Sequence, residues 1–386
     1  MKHILRSILS FLVRFIPIKQ NIILFESYPE LGGSPWMIYQ ELIRRGYDKK
    51  YKLVWVVGNS FEPPPNIKTV SLFGKGFKYY TRKLLYLIPA KAIIDSNIYI
   101  LKIHPKTFRL YTQHGAPLKD WKFYSKKIGN VDAILTLSKA TETIDTNLYP
   151  NATGRFFTLG YPSNDQLFLD IDLYKNGFLP EITKTSQKFD KIIGWLPTYR
   201  QHKSGGNKGS DYVFPFGIPL LKEKEDFESL NTLLKEHNIL LAIQMHHSQK
   251  KNFPEQKFSN IALIHDSDKR KFNVSTMNLM HCFDALITDY SAAYHEYILL
   301  DRPIALSIDD YEVYSKKPGF CIDYFEWIKG VYLKNVSDLK YFIEEVANGI
   351  DSAKKERQKT MHRIHKYVDN KSTQRVVDFL IEKAKL

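Results

Sequence analysis

At 386 residues, 44% hydrophobic, 14% aromatic and 25% charged, the chain is long and apolar enough for two domains with cores of their own, which excludes a disordered protein. Lys and Arg outnumber Asp and Glu by 56 to 41, and a formal net charge of +15 favours an anionic partner: nucleic acid, an anionic membrane surface or a phosphate-bearing substrate. Cys282 and Cys321 have neither metal-ligand spacing nor the makings of a disulfide framework, which fits a reducing compartment.

Residues 1–16 put Ile4, Leu5, Ile8, Leu9, Leu12, Phe15 and Ile16 on one helical face, with His3, Ser7, Ser10 and Arg14 opposite. Arg6 and Arg14 interrupt a run already too short for a bilayer, which takes roughly 20 residues. A small-residue cleavage site is also missing, which speaks against a secretory signal. Such a basic amphipathic helix suits either the membrane interface or the body of the protein. The expectation is a membrane-associating segment over 1–20 and a peripheral protein at the cytoplasmic face of the plasma membrane.

Strands are predicted over 21–25 and 52–57. Between them, Gly32-Gly33-Ser34-Pro35 starts a helix over 36–45. A helix over 77–87 and strands over 92–94, 107–112 and 133–137 follow. This alternation predicts a parallel, doubly wound sheet. After a polar connection at 184–190 a second series begins, with strands over 191–195, 239–245 and 261–264 and helices over 227–237 and 274–280. Residues 285–287 form another strand, 288–291 a polar elbow, and a helix runs on to 300 before a strand over 303–306. From 336 onward the chain reads as three helices with basic faces. The expected architecture is α/β, two Rossmann-like halves with a central cleft, ligands sitting at the carboxyl ends of the strands. The glycines of 205–209 do not make a P-loop, because no Gly-Lys-Ser/Thr follows at the required spacing.

Four strand-end loops carry chemistry. In Gln113-His114-Gly115-Ala116-Pro117-Leu118-Lys119, the glycine permits a tight turn beside the imidazole. Leu196-Pro197-Thr198-Tyr199-Arg200 offers a hydroxyl and a guanidinium able to grip phosphate bidentately. The third loop is Met245-His246-His247-Ser248, and the fourth is the elbow Thr288-Asp289-Tyr290-Ser291. A strand that turns into a helix through hydroxyl residues gathers free N–H groups and the positive helix end at one point, a ready phosphate site. An ordinary connection, with Thr, Asp and Ser merely capping the helix, has the same local sequence.

The chain resembles the CDP-glycerol glycerophosphotransferase family of teichoic-acid primases and polymerases and their capsule-building relatives. The resemblance rests on His114-Gly115-x-Pro117-Leu118-Lys119, Gly160-x-Pro162-x-Asn164-Asp165, Pro197-Thr198-Tyr199-Arg200, His246 after an apolar strand, and Ile287-Thr288-Asp289-Tyr290-Ser291. Pro303-Ile304, Gly319-Phe320, Ser372-x-x-Arg375-Val376 and the opening Phe25-Glu26-Ser27 extend it, in order, over residues 21–377. Departures are Gln113 where the family has Trp, Ala116 for Thr, Ala292 for Ser, Glu296 for Asp, and Gly330 without its following proline. The resemblance implies a GT-B-like fold of two Rossmann-type domains, here expected at 21–180 (acceptor) and 190–370 (nucleotide donor), with a C-terminal helix at 371–386 crossing back.

It also implies that an acceptor hydroxyl attacks a CDP-alditol, most simply CDP-glycerol, and releases CMP, the acceptor being lipid-linked or a polyol-phosphate polymer. His114 is then the expected general base, since imidazole ordinarily titrates near pH 6.5. His246 would hydrogen-bond the diphosphate or protonate the leaving phosphate; His247 is its rival for that role, although the family has proline at that position. Arg200, Thr198, Thr288, Asp289, Ser291, Gly115 and Lys119 are the expected donor and phosphate-binding residues. No acidic cluster of magnesium-ligand character stands out, so neither a metal nor another cofactor is expected. The alternatives are a GT-B glycosyltransferase using a nucleotide-sugar and a non-catalytic basic binder of nucleic acid or membrane. No recognised nucleic-acid motif is present, and nucleic acid is not an expected partner.

Overall fold

The computed structural model describes residues 20–386 other than 75, 98, 120–127, 129, 199, 201–213, 246–252, 255–257 and 317–318. The chain forms two compact units. The first runs to Ala116, resumes through Asp165 and is completed by Lys366–Leu386; the second comprises Pro117–Asp120 and Gln166–His365. The first unit therefore ends ahead of the expected boundary at 180, and it takes back the chain at 366 instead of 371.

In the first unit, β1 (Ile22–Glu26), β2 (Lys52–Val56), β3 (Thr69–Val70), β4 (Ala90–Asp95), β5 (Phe108–Tyr111), β6 (Ala133–Thr136) and β7 (Phe156–Thr158) form one sheet in the order β3-β2-β1-β4-β5-β6-β7. Every pairing is parallel. Strands in such a sheet are covered on both faces, which is why β1 is buried along its whole length. Helix α1 (Gly33–Arg44) starts three residues earlier than its periodicity suggests, from an extended Gly32, with Pro35 inside the first turn. Helix α2 (Phe77–Leu87) has the predicted bounds. Helix α3 (Lys139–Leu148) was not predicted. Its apolar stripe is thin, Ala140, Ile144 and Leu148 among polar residues, and its start is set by Ser138 Oγ, which accepts from the Thr141 N–H at 3.2 Å.

Two motifs more than 200 residues apart meet in this unit. The Asp165 carboxylate accepts from the N–H groups of Ser372 (3.0 Å) and Thr373 (2.7 Å), capping the C-terminal helix Ser372–Ala384. Arg375 Nε donates to the Leu159 carbonyl at 3.1 Å. Gly160, at φ +79°, lies where an added Cβ would come 2.5 Å from Ser372 Oγ, so only glycine lets the helix seat.

In the second unit, β8 (Lys191–Trp195), β9 (Ile239–Ile243), β10 (Ile261–Leu263), β11 (Ala285–Thr288), β12 (Ile304–Ser307) and β13 (Val331–Leu333) run in the order β10-β9-β8-β11-β12-β13, again all parallel. Helices α4 (Lys224–Glu236), α5 (Thr276–Cys282), α6 (Ala293–Tyr297), α7 (Val336–Ala347) and α8 (Lys354–Ile364) accompany it. Trp195, Phe227, Leu230, Leu241, Ile287 and Phe342 belong to its core. The helix predicted to reach 300 is two pieces, α6 and a 3-10 turn at Ile298–Leu300.

Each sheet grows first to one side of its opening strand and then to the other. The reversal falls between β1 and β4 in the first unit and between β8 and β11 in the second. The loops leaving two neighbouring strands diverge there, opening a crevice at the carboxyl edge. Glu26 and Asp95 end the strands at the first such point; Trp195 and Thr288 end those at the second. Among the described residues, no helix is long and apolar enough to cross a membrane. The amphipathic segment expected at 1–16 lies outside them.

Candidate functional site

In the first unit the site is built on the carboxyl ends of β1, β4 and β5. Beyond β5 the chain bends sharply at Gln113, which holds a left-handed φ of +60°. A non-glycine residue keeps such a conformation only where its surroundings compensate. Here the buried Gln113 amide donates to the Leu135 carbonyl at 2.8 Å and to Asp145 Oδ1 at 3.2 Å. The bend turns His114 outward, where it is exposed. Its Nδ1 lies 3.1 Å from the Ser96 carbonyl oxygen. A carbonyl only accepts, so Nδ1 carries the proton and Nε2 keeps its lone pair for another partner. Gly115 follows at φ +136°, a conformation that a side chain would strain.

The Ser96-Asn97 turn that orients His114 is itself held by Glu26. The Glu26 carboxyl accepts from the Asn97 N–H (3.2 Å) and from Asn97 Nδ2 (3.4 Å). Burial and the nearby Asp95 push Glu26 up to about 7. Asp95 is buried and paired with Arg109. Asp145, behind Gln113, is pushed up to about 7 by burial, and its Oδ2 has no hydrogen-bond partner. The residue reading singled out none of Glu26, Ser96, Asn97 or Asp145 for the site. An acid at the last position of an apolar strand was the available signal for Glu26.

In the second unit, four of the expected residues interlock at the ends of β8 and β11. The Thr198 N–H donates to both oxygens of Asp289, at 3.0 and 2.9 Å. Thr288 Oγ1 turns inward and donates to the Leu196 carbonyl at 3.0 Å. Arg200 is 1% exposed. Its Nε and Nη2 donate to the Asp310 carboxylate at 2.6 and 3.1 Å, and Nη1 to Asp289 at 2.9 Å and to the Thr198 carbonyl at 2.7 Å. The guanidinium also lies 4.9 Å from the ring centres of Tyr290 and Tyr314, while the Tyr290 hydroxyl donates to Asp310. The fork expected to grip phosphate thus holds two carboxylates, Asp289 is one of them, Thr198 joins through its backbone, and the Thr288 hydroxyl is taken by the Leu196 carbonyl. Asp310, beyond the end of β12, completes the frame; its signal in the sequence was the Asp309-Asp310 pair shortly after an apolar strand.

Lys119 differs. Its backbone bridges to Phe320, its ammonium lies 5.8 Å from the Tyr314 ring centre, and among the described residues no carboxylate pairs with it. Burial lowers it to about 8, with Arg200 pushing the same way against the pull of Asp289. Ser291 stands half-buried at the start of α6, and its Oγ accepts from the Ala293 N–H at 3.2 Å. The unit thus presents a half-buried cation that no described carboxylate pairs and a hydroxyl at the head of a helix, in the same unit as the charge-paired frame. His246, with its neighbour His247, lies outside the described residues.

The sequence model of the CDP-Glycerol:Poly(glycerophosphate) glycerophosphotransferase family matches residues 8–382. A teichoic acid poly(ribitol-phosphate) polymerase of Bacillus spizizenii is 26% identical over 95% of this chain and 57% of its own length. A teichoic acid poly(glycerol phosphate) polymerase of the same species is 25% identical, over 89% of this chain and 88% of its own. The chain therefore spans little more than half of the first relative and most of the second. Among solved structures, the wall teichoic acid polymerase TagF superposes with a TM-score of 0.70 at 20% identity, covering 100% of this chain and 95% of that one. A putative UDP-N-acetylglucosamine 2-epimerase from Listeria monocytogenes superposes at 0.53 with 12% identity, covering 95% and 98%. At such identities the two structures speak for the fold.

Proposed function

We propose, from the premise that this chain belongs to the CDP-glycerol:poly(glycerophosphate) glycerophosphotransferase family, that it moves an alditol phosphate, foremost glycerol phosphate, from a CDP-alditol to an acceptor hydroxyl. CMP is released, and the acceptor is a membrane-linked or polymer chain in the synthesis of a teichoic-acid-like or capsule polymer. The observation that carries this reading is His114: exposed, with Nδ1 bound to the Ser96 carbonyl and Nε2 free of partners among the described residues. A neutral imidazole in that tautomer is a base with a fixed direction. The acceptor oxygen forms a bond to the alditol-bearing phosphorus while the bond from that phosphorus to the bridging oxygen breaks. The hydroxyl proton passes to Nε2, and CMP leaves with the bridging electron pair.

Charge on the diphosphate falls to Lys119. Its ammonium, lowered to about 8, remains mostly protonated near neutral pH, and an arriving diphosphate raises it again. Ser291 adds a hydroxyl, and Gly115 gives the loop its turn. Arg200, Asp289 and Thr198 act as the frame beneath, and Thr288 joins the strand ends behind them. His246 remains the proposed partner of the diphosphate or of the leaving phosphate. One relative's structure was soaked with CDPG, which makes CDP-glycerol the first donor to try. The acceptor's membrane linkage makes a peripheral site at the cytoplasmic face of the plasma membrane the natural location.

The test is nucleotide release. Protein incubated with CDP-glycerol, CDP-ribitol or nucleotide-sugars, each with a polyol-phosphate acceptor, should yield CMP with a CDP-alditol alone. His114→Ala should cut turnover on the order of 10²–10⁴-fold in a folded protein. Nucleoside diphosphate released from a sugar donor would instead mean glycosyl transfer on the same fold.

A further inference from the structure

At the crevice of the first unit, β1 and β4 end side by side on two acids, Glu26 and Asp95, which are partners in register. Both are buried, at 2% and 0% exposure. One arginine stands beside the two, and it turns to Asp95: Arg109 Nη2 donates at 2.5 Å and Nε at 3.4 Å. Among the described residues Glu26 forms no ion pair, and its carboxyl accepts from Asn97 alone, Oε2 from the N–H at 3.2 Å and Oε1 from the side-chain amide at 3.4 Å. Burying an acid without a counter-ion is costly. A carboxylate nevertheless does here what an amide cannot. Both of its oxygens accept, so it holds both Asn97 donors, whereas a glutamine offers one acceptor.

What the turn carries is the carbonyl that aims His114. The Thr112 N–H donates to the Asp95 carbonyl at 2.9 Å, a backbone rung between the chains leaving β5 and β4. One residue further along β4's exit, the Ser96 carbonyl meets the His114 Nδ1 at 3.1 Å, so the imidazole itself continues the ladder. Ser96 is fixed in turn from β1: its N–H donates to the Glu26 carbonyl at 3.1 Å, and Asn97 Nδ2 donates to Ser96 Oγ at 3.0 Å. Among the described residues, the hydrogen bonds of Ser96 and Asn97 run to Glu26, to His114 or to each other. Removing the Glu26 carboxylate therefore leaves the turn without its side-chain anchor.

We infer that Glu26 is a positioning residue for the proposed base: its carboxylate fixes the Ser96-Asn97 turn, and the turn fixes the tautomer and direction of His114. This rests on the reading of His114 given above and adds the group that makes the imidazole a directed base. The charged groups facing Glu26 are Asp95 on β4 and Arg109 on β5. Burial, and after it Asp95, outweigh the Asn97 hydrogen bonds and Arg109, and the carboxyl is raised to about 7. Below that value a proton occupies one oxygen, and one of the two Asn97 donors loses its acceptor. Activity then falls on the acid side for two reasons, protonation of the imidazole and release of the turn that aims it.

The test compares the full chain with Glu26→Gln, both labelled with 15N-histidine, and uses His114→Gln to assign the ring resonances. At about pH 8.5, above the ordinary imidazole range, the wild-type His114 ring should be protonated on Nδ1 and bare on Nε2. In Glu26→Gln the ring should move toward the mixed tautomers of a free imidazole. CMP release from CDP-glycerol should fall about 10–100-fold in kcat with little change in the KM for CDP-glycerol. The acid limb of its pH–rate profile should also become shallower, reporting one protonation in place of two. Asn97→Ala removes one of the two donors at a half-buried position and should move the ring and kcat the same way by less; it carries the test where Glu26→Gln fails to fold by circular dichroism. An unchanged tautomer in the folded variants overturns the inference, as does a wild-type ring protonated on Nε2 or a changed tautomer at the wild-type kcat. A tautomer that moves as expected in a protein whose wild type releases no CMP overturns the transferase reading and leaves the hold of Glu26 on His114 standing.

Discussion

Asp145 and Glu26 carry carboxyls that burial lifts to about 7, and both stand behind the loops that aim His114. For Asp145 the linkage has a definite sign. Its folded value lies above the ordinary 3.8, so the folded state holds a proton that the unfolded chain releases. The stability this group contributes is complete below about pH 4 and is lost as pH rises through about 7. Between about pH 5 and about pH 8 the loss spans roughly two pKa units, a ceiling of ~3 kcal/mol at ~1.4 kcal/mol per unit. Asp145→Asn keeps an acceptor for the Gln113 amide and removes the titration. Urea unfolding of both proteins should therefore show the variant gaining on the wild type at about pH 8 relative to about pH 5, by up to that amount. An equal difference at both pH values would mean that the carboxyl is not held protonated. Gln113 stands where the resembled family has tryptophan, and its amide needs the Leu135 carbonyl and Asp145 that an indole would not.

Among elements, the ends of β8, β11 and β12 are tied by one side chain. Arg200 joins Asp289 beyond β11 to Asp310 beyond β12, and Thr198 closes the loop from β8. All three ionised groups are essentially dry, at 1%, 0% and 2% exposure. Removing one partner from a buried ion pair strands the others. Arg200→Ala should thus destabilise the fold by about 3–5 kcal/mol, read by denaturant unfolding. Lys119→Ala breaks no ion pair among the described residues. It should leave unfolding nearly unchanged and weaken equilibrium binding of CDP-glycerol about tenfold or more, the usual worth of a charge-assisted contact. The reverse pattern, a stable Arg200→Ala with lost donor affinity, would return Arg200 to the phosphate-binding role first expected of it.

Over the whole molecule, the net charge of +15 is a field as well as a sum. Long-range attraction between a basic protein and a polyanionic acceptor is screened over about 8–10 Å at ordinary salt. Raising ionic strength should therefore raise the KM for a polyol-phosphate acceptor more than the KM for CDP-glycerol, whose proposed contact with Lys119 is local. Steady-state kinetics across a salt series would show it. Equal sensitivity of both constants would confine the charge effect to the donor pocket.

Local sequence determined which segments became elements. Unbroken apolar runs, as in β1, β8 and β11, are strands because both sheet faces must be covered, and α2 was legible from end to end in its residues. Short elements escaped: β3, β7 and β13, two or three residues long, and α3, whose start is set by its cap. The loops that carry His114, Thr198, Thr288 and Lys119 were also legible, because turn residues and reactive groups at strand ends stand out along the chain. What those side chains do was decided by tertiary structure. Arg200 and Asp310 are 110 residues apart, and Asp165 and Ser372 are 207 apart. The cost of burying a charge is set by what lies across the sheet, so the same guanidinium reads as a phosphate grip in sequence and as a frame in the fold.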